Sequence, residues 1–264
     1  MVLDRNFPLM NLFVLVFAKD SKNINRKLEE LSRLNLPFLI VTGEKTDLPH
    51  TIYRKPEGKF DAINFGLTKV PKEYDVIALN DVDTRILNFD KMIKSFSKVS
   101  TLVFAGVKVN LGPQVLFYRI LDAVRRRLLI TASGELMLVQ RSFIDSLLPI
   151  KPCKAEDSYI LFKALKLKQR VSFCETCYVI TERTKTPKME EKYKRKTVCG
   201  LYQAVELAKP PVTIRTFYFL LPFVSPLLMV LGEKGYFWMR GIMLGFADFL
   251  HKDKTGTWST AYMA

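Results

Sequence analysis

The chain has 264 residues, 48% of them hydrophobic, and its 41 lysines and arginines outnumber its 26 aspartates and glutamates to give a net charge of +15. That length and apolar content exclude a disordered tail and suit one large domain or a domain with an appendage, while 12 Gly and 13 Pro exclude a collagen-like or low-complexity chain. The basic balance, with an isoelectric point near 9.6, points to an anionic partner: nucleic acid, a nucleotide substrate or the acidic face of a membrane.

Leu9 to Ala18 is apolar apart from Asn11, short enough for a signal-peptide core, but Asp4 beside Arg5 is a poor positive flank. Asn23 to Leu34 follows with Ile24, Leu28, Leu31 and Leu34 on one helical face, and Pro37 to Val41 is a second apolar run. Strand, helix, strand is the better parse, so the first run is expected to be mature structure. The alternation continues. Strands are expected near 10–18, 37–42, 51–54, 75–80, 101–109, 135–140 and 171–180, and helices near 22–34, 59–68, 90–97, 113–128, 141–147 and 156–167. This is an α/β pattern, and in open α/β sheets ligands gather beyond the carboxyl ends of the strands.

Four cysteines, Cys153, Cys174, Cys177 and Cys199, are too few for a disulfide scaffold in a chain of this size. Cys174 and Cys177 have zinc-like spacing but no matching second pair, and packing of small sulfur side chains in an apolar strand is the simpler reading.

The most informative strand end is Asp75-Val76-Ile77-Ala78-Leu79-Asn80-Asp81-Val82-Asp83. An apolar strand runs straight into two carboxylates one residue apart, a pair that can hold a hard divalent ion while water and substrate phosphate fill its other positions. A solvated turn is the plain alternative. Upstream, Gly58-Lys59 opens a helix where a lysine and unpaired amides can meet a phosphate. Downstream, Glu156-Asp157 opens another, where a carboxylate is ordinarily a cap.

Taken in order, these motifs resemble an inverting family 2 glycosyltransferase with the GT-A nucleotide-sugar fold, a Rossmann-like mixed sheet. The likeness runs from an N-terminal βαβ through Gly58, Lys59, Ala62 and Asn64 to the DxD pair Asp81 and Asp83. It continues through the acceptor-site segment Ser133-Gly134-Glu135 to the pair Glu156-Asp157, and covers about residues 9–205. Tyr193 to Gly200 resembles a degraded QxxRW segment, with Arg195 as its basic residue over the donor diphosphate. Where many members carry a DDGS-like turn, this chain has Thr42-Gly43-Glu44, so Glu44 is the stand-in for the base-recognising aspartate. The Gln and Trp of QxxRW are absent, which argues against a polymer synthase.

The resemblance implies roles. Asp81 and Asp83 would hold Mg²⁺ or Mn²⁺ on the pyrophosphate of a UDP- or GDP-sugar. Lys59, Asn64, Glu156 and Arg195 would line the donor site, and Asp157 would be the general base that deprotonates the acceptor hydroxyl.

The last quarter changes character. From Arg183 to Lys196 seven basic residues face two acidic ones, and Val212 to Leu231 is apolar apart from Thr213, Arg215, Thr216 and Ser225. Twenty helical residues rise about 30 Å, the thickness of a bilayer's hydrocarbon. Pro222 and Pro226 predict kinks, and Tyr236 to Leu250 is a shorter segment holding Arg240 and Asp248, interfacial or a hairpin partner. Gly241 and Gly245 form a small-xxx-small pair suited to close helix approach.

The expected division is therefore a catalytic domain over 1–205 and membrane-associated helices over 206–264, with a soluble helical hairpin that closes the α/β core as the plain alternative. The basic cluster before and Lys252 and Lys254 after place the catalytic domain on the cytoplasmic side. The expected partners are a nucleotide sugar, a lipid or lipid-linked acceptor such as a polyprenyl phosphate, and the membrane, with no nucleic acid. A nucleotidyltransferase on a similar fold and a non-catalytic basic protein are the competing readings; the scattered basic residues and lack of a nucleic-acid module rank the last lowest.

Overall fold

The computed structural model describes residues 11–109, 115–182 and 184–251. Asp4 and Arg5, the first residues of the leading apolar run, the start of the helix expected at 113, Arg183, Lys252 and Lys254 lie outside the described residues.

Eight strands form one mixed sheet. In chain order they are β1 (Leu12–Ala18), β2 (Phe38–Thr42), β3 (Thr51–Tyr53), β4 (Val76–Asp81), β5 (Arg85–Leu87), β6 (Leu102–Val109), β7 (Leu136–Gln140) and β8 (Val171–Thr181), and in space they run β3-β2-β1-β4-β7-β6-β8-β5. The β3-β2-β1-β4 half is parallel, whereas β7 runs antiparallel to both β4 and β6. The described apolar part of the leading run, Leu12–Ala18, is thus an interior strand, buried at every position because helices cover both faces. Its side chains divide by parity: Phe13, Leu15 and Phe17 enter one core, and Leu12, Val14, Val16 and Ala18 the other. β4 follows the same rule, with Ile77 and Leu79 in the first core and Val76 and Ala78 in the second.

The helices are α1 (Ile24–Leu34), α2 (Lys59–Leu67), α3 (Phe89–Val99), α4 (Val115–Leu128), α5 (Arg141–Ser146), α6 (Glu156–Lys166), α7 (Pro187–Ala208), α8 (Val212–Val224) and α9 (Gly232–Leu250), with a 3₁₀ turn, Ser225–Leu231, between the last two. The expected helices over 22–34 through 156–167 are all present. β5 and α7 were not anticipated. α7 begins with Thr186 as its N-cap, the hydroxyl accepting from the Met189 amide at 3.2 Å, and with Pro187 in the first turn, where a missing N–H costs nothing.

The boundary expected at 205/206 falls inside α7, and the first core continues past it through Ile214 and Tyr218 of α8 and Ile242 of α9. Val212–Leu250 is long and apolar enough to cross a membrane by length and composition alone. It is not one straight rod: a Cβ on Gly235 would collide with the Leu228 carbonyl, so the chain turns sharply between them, at Gly232 with φ +70°. The close approach foreseen for Gly241 and Gly245 is made to α7. A Cβ on Gly241 would stand 2.6 Å from the Lys194 Cβ, and one on Gly245 would stand 2.5 Å from the Arg195 carbonyl oxygen.

Candidate active site

The carboxyl ends of β1, β2 and β4 lie side by side. The Gly43 amide donates to the Ala18 carbonyl at 2.9 Å and the Val82 amide to that of Phe17 at 3.1 Å. A side chain at 43 would press within 2.6 Å of the Lys19 carbonyl oxygen, so glycine is what lets the turns after β1 and β2 touch. Glu44 closes the same corner, accepting from the Ser21 amide at 2.8 Å. Those bonds hold its carboxyl below the usual range.

By strand parity Asp81 emerges on the face covered by α2 and α6. Gly58, at φ +136°, ends the preceding loop in a conformation open to glycine, and α2 starts at the next residue. The Lys59 ammonium lies 5.8 Å from the Phe17 ring centre, 2.6 Å from Asp81 Oδ1, 3.3 Å from Glu156 Oε1 and 3.0 Å from the Gly134 carbonyl oxygen. Glu156 and Asp157 open α6, and a Cβ on Gly134 would stand 2.7 Å from Asp157 Oδ2, so only glycine admits this carboxylate beneath the 133–135 segment. Lys59, Gly134, Glu156 and Asp157 thus line one narrow crevice together with Ile63, Leu79 and Ile160.

Its electrostatics are those of a crowded acidic site. Burial first, then the neighbouring carboxylates, raise Asp81 to about 7 against the pull of Lys59. Asp157 is likewise raised to about 7, by burial and then by Glu156. Burial opposes the charge on Lys59, but Asp81, Glu156 and Asp157 together outweigh it and hold the ammonium protonated, above the ordinary lysine value. Burial favours the protonated form of Asp81 and Asp157 even beside a lysine, and a cation could take the place of those protons. The oxygens of Asp81 and Asp83 are hard ligands of the kind that suit Mg²⁺ or Mn²⁺. Among the described residues no cluster of three or more acidic, His or Cys side chains is poised for a metal, so phosphate and water would complete the shell.

Asp83 is exposed on the turn after β4, close enough to raise Asp81 further. That turn is braced from beneath. The wholly buried Lys27 of α1 donates to the Thr84 carbonyl at 2.7 Å and pairs with Glu30 at 2.6 Å, while Glu30 accepts from the Ile86 amide at 2.6 Å. Thr84 Oγ1 in turn donates to the Asp81 carbonyl at 2.8 Å.

Two expected donor residues are engaged elsewhere. Asn64 uses both ends of its amide on the backbone of Ile150, donating at 3.0 Å and accepting at 2.7 Å, and so clamps α2 to the loop after α5. Arg195 reaches away from the crevice into α9, where its guanidinium makes two 2.6 Å hydrogen bonds to Asp248. Its neighbour Lys196 takes the inward position. One turn on, Gly200 abuts the Lys154–Ala155 backbone, and Gln203 accepts from the Lys154 amide at 3.0 Å, so the 196–200–203 face of α7 packs on the lead-in to Glu156. Burial lowers the Lys196 pKa, while Glu156 and Asp81 pull it back up. Glu135, expected only as part of the acceptor-site segment, also borders the cluster: its backbone carbonyl receives the Asp81 amide, and its carboxylate raises both Asp81 and Asp157. Its place after Ser133-Gly134 was the available signal.

The four cysteines are all buried and none forms a disulfide.

No protein-family model matches the sequence, and no curated protein does. Solved structures do match. A mannosyltransferase from Pyrobaculum calidifontis, in complex with GDP-Man and Mn²⁺, superposes with a TM-score of 0.71 at 14% identity, over 92% of this chain and 88% of that one. GalNAc-T7 with UDP, GalNAc and Mn²⁺ matches at 0.56 and 13% identity, over 95% of this chain but 57% of its own. Glucosyl-3-phosphoglycerate synthase of M. tuberculosis matches at 0.53 and 13% identity, over 77% and 82%. The chain has the GT-A fold.

Proposed function

We propose that this GT-A chain is a metal-dependent inverting glycosyltransferase that moves one sugar from a UDP- or GDP-sugar to a lipid or lipid-linked acceptor at the cytoplasmic face of a membrane. The observation that carries the reading is the Lys59–Asp81–Glu156–Asp157 cluster at the carboxyl ends of the parallel strands. The GT-A relatives include complexes with nucleotide sugars or nucleotides and Mn²⁺, which supports the same donor class here.

Asp81 and Asp83 would hold Mg²⁺ or Mn²⁺, which when bound neutralises charge on the leaving nucleoside diphosphate. Lys59 and Lys196 add fixed positive charge on the same side. Glu44, at the β1–β2 corner, stands where a nucleoside would be recognised. Asp157, facing Gly134, takes the proton of the acceptor hydroxyl at a carboxylate oxygen as that hydroxyl oxygen attacks the anomeric carbon. Its raised pKa makes it a stronger base than an exposed aspartate. One displacement inverts the configuration. Residues 1–205 supply this chemistry in the proposal, and residues 206–264 hold it at the membrane.

The test uses full-length protein, labelled GDP- and UDP-sugars with and without Mn²⁺, and a lipid extract as acceptor. Label in the lipid phase, one sugar per acceptor, with release of nucleoside diphosphate supports the reading. Release of pyrophosphate would instead identify a nucleotidyltransferase.

A further inference from the structure

Within the apolar C-terminal stretch, α8 buries one face and exposes the other. Along α8, Ile214, Tyr218 and Pro222 recur every four residues and are buried against the domain, where the Tyr218 hydroxyl donates to the Ile130 carbonyl at 2.7 Å. On the opposite side Phe219 and Phe223, in ring contact at 5.8 Å, are 68% and 70% exposed. The surface continues through Leu227, 70% exposed, to the turn before α9, where Val230 is 84% exposed. A helix crossing a bilayer alone meets lipid all round, whereas this one has already spent a stripe on protein. α9 is committed more fully, with Gly241 and Gly245 against the α7 backbone, Arg195 bonded to Asp248 and Trp238 stacked on Phe117 at 4.6 Å.

We infer that α8 and the following 3₁₀ turn lie in the plane of one leaflet of an anionic bilayer, with the Phe219–Phe223–Leu227–Val230 face buried in it and no segment crossing. The charge says what covers the face. Between Ala208 and Ala247 Glu233 is the sole acidic residue, against Lys209, Arg215, Lys234 and Arg240. Lys209, Arg215 and Lys234 are exposed. A basic rim around an apolar face attracts acidic headgroups, whereas a second copy of a +15 chain would be repelled. This deepens the proposed function, since it brings the crevice to a lipid-borne acceptor.

The experiment adds purified full-length protein to preformed vesicles of phosphatidylcholine with or without phosphatidylglycerol. Wild type is expected to co-sediment with the anionic vesicles. The double variant Phe219→Asp, Phe223→Asp, altered at exposed positions, is expected to partition at least about tenfold less at an unchanged melting temperature. A second arm uses Lys234→Cys and a membrane-impermeant maleimide; the native cysteines are buried, so the introduced thiol reports alone. Labelling from outside the vesicles supports the in-plane arrangement. Labelling only by reagent trapped in the lumen, undiminished vesicle binding by the double variant, or a wild-type dimer that ignores vesicles and becomes monomeric in the variant would each overturn it. The vesicle assay contains no nucleotide sugar, so vesicle binding as expected here, with no transfer in the separate labelled-donor assay, would count against the enzymatic reading and leave the docking standing.

Discussion

Asp157 and Asp81 hold protons more tightly in the folded chain than an unfolded aspartate does, near pH 7 rather than about 3.9. Below both values the two states are equally protonated, and above both they are equally ionised. Between them the folded state binds more protons, so these groups withdraw stability from the metal-free protein as pH rises from about 4 to 7. A divalent ion must displace those same protons. Mn²⁺ affinity, followed by calorimetry or by the shift in melting temperature, is therefore expected to rise from pH 6 to pH 8, and Asp81→Asn should flatten that rise. Asp157→Asn keeps the shape of the crevice but accepts no proton, so transfer should fall about 10²- to 10⁴-fold while nucleotide-sugar binding persists. An equal loss of binding would make Asp157 a donor ligand instead. At this scale the sequence pointed to Lys59, Asp81 and Asp157 because each sits beside a glycine or at an element end, and the structure brings the three side chains together. It misled at Asn64 and Arg195: spacing gives a residue's place along the chain, not which of two partners its side chain meets.

Strands and most helices were legible from their patterns: β1 and β4 as short apolar runs, since their alternate residues enter different cores and both sets must be apolar, and α1 from a period near 3.6. β5 has only three residues, too few to show a period. α7 hid for a different reason. Its buried face begins with Glu190 and Lys194, polar by sequence yet satisfied together: Lys194 lies 3.6 Å from Glu190 and 3.8 Å from the Trp238 ring centre, and Glu190 accepts from Tyr118 at 3.1 Å. The α7–α9 contact depends on small residues rather than on apolar bulk. Gly245→Leu puts a side chain into the Arg195 carbonyl and Val198, and should cost about 1–3 kcal/mol in urea unfolding. An unchanged midpoint would show that α9 packs elsewhere.

The molecule as a whole does not divide where its composition does. The polar-to-apolar change after Lys209 invites a cut there, yet the first core draws Tyr218 and Ile242 from beyond it, and α9 covers α7 along its length. Truncation after Lys209 should leave an aggregating chain without a cooperative thermal transition, not a soluble catalytic domain; a sharp melt in calorimetry would contradict that. The GT-A architecture was readable from the order of its motifs. The integration of Val212–Leu250 was not settled by it, because an apolar run reads the same whether it faces lipid or protein.

The Tyr218 hydroxyl bond to Ile130 has a mechanical meaning. Ile130 stands four residues before Gly134, which lies against Asp157, so the helix with the exposed phenylalanines and the strip beside the proposed base are bolted to one frame. With that helix docked on a leaflet as inferred, the frame acts as a gauge block that sets a constant clearance between the base and the lipid surface. Acceptors would then be sorted by stand-off as well as by stereochemistry. In a series of otherwise identical lipid acceptors with spacers of graded length, the transfer rate should peak at one spacer and fall on both sides, whereas a hinged attachment would give a flat profile.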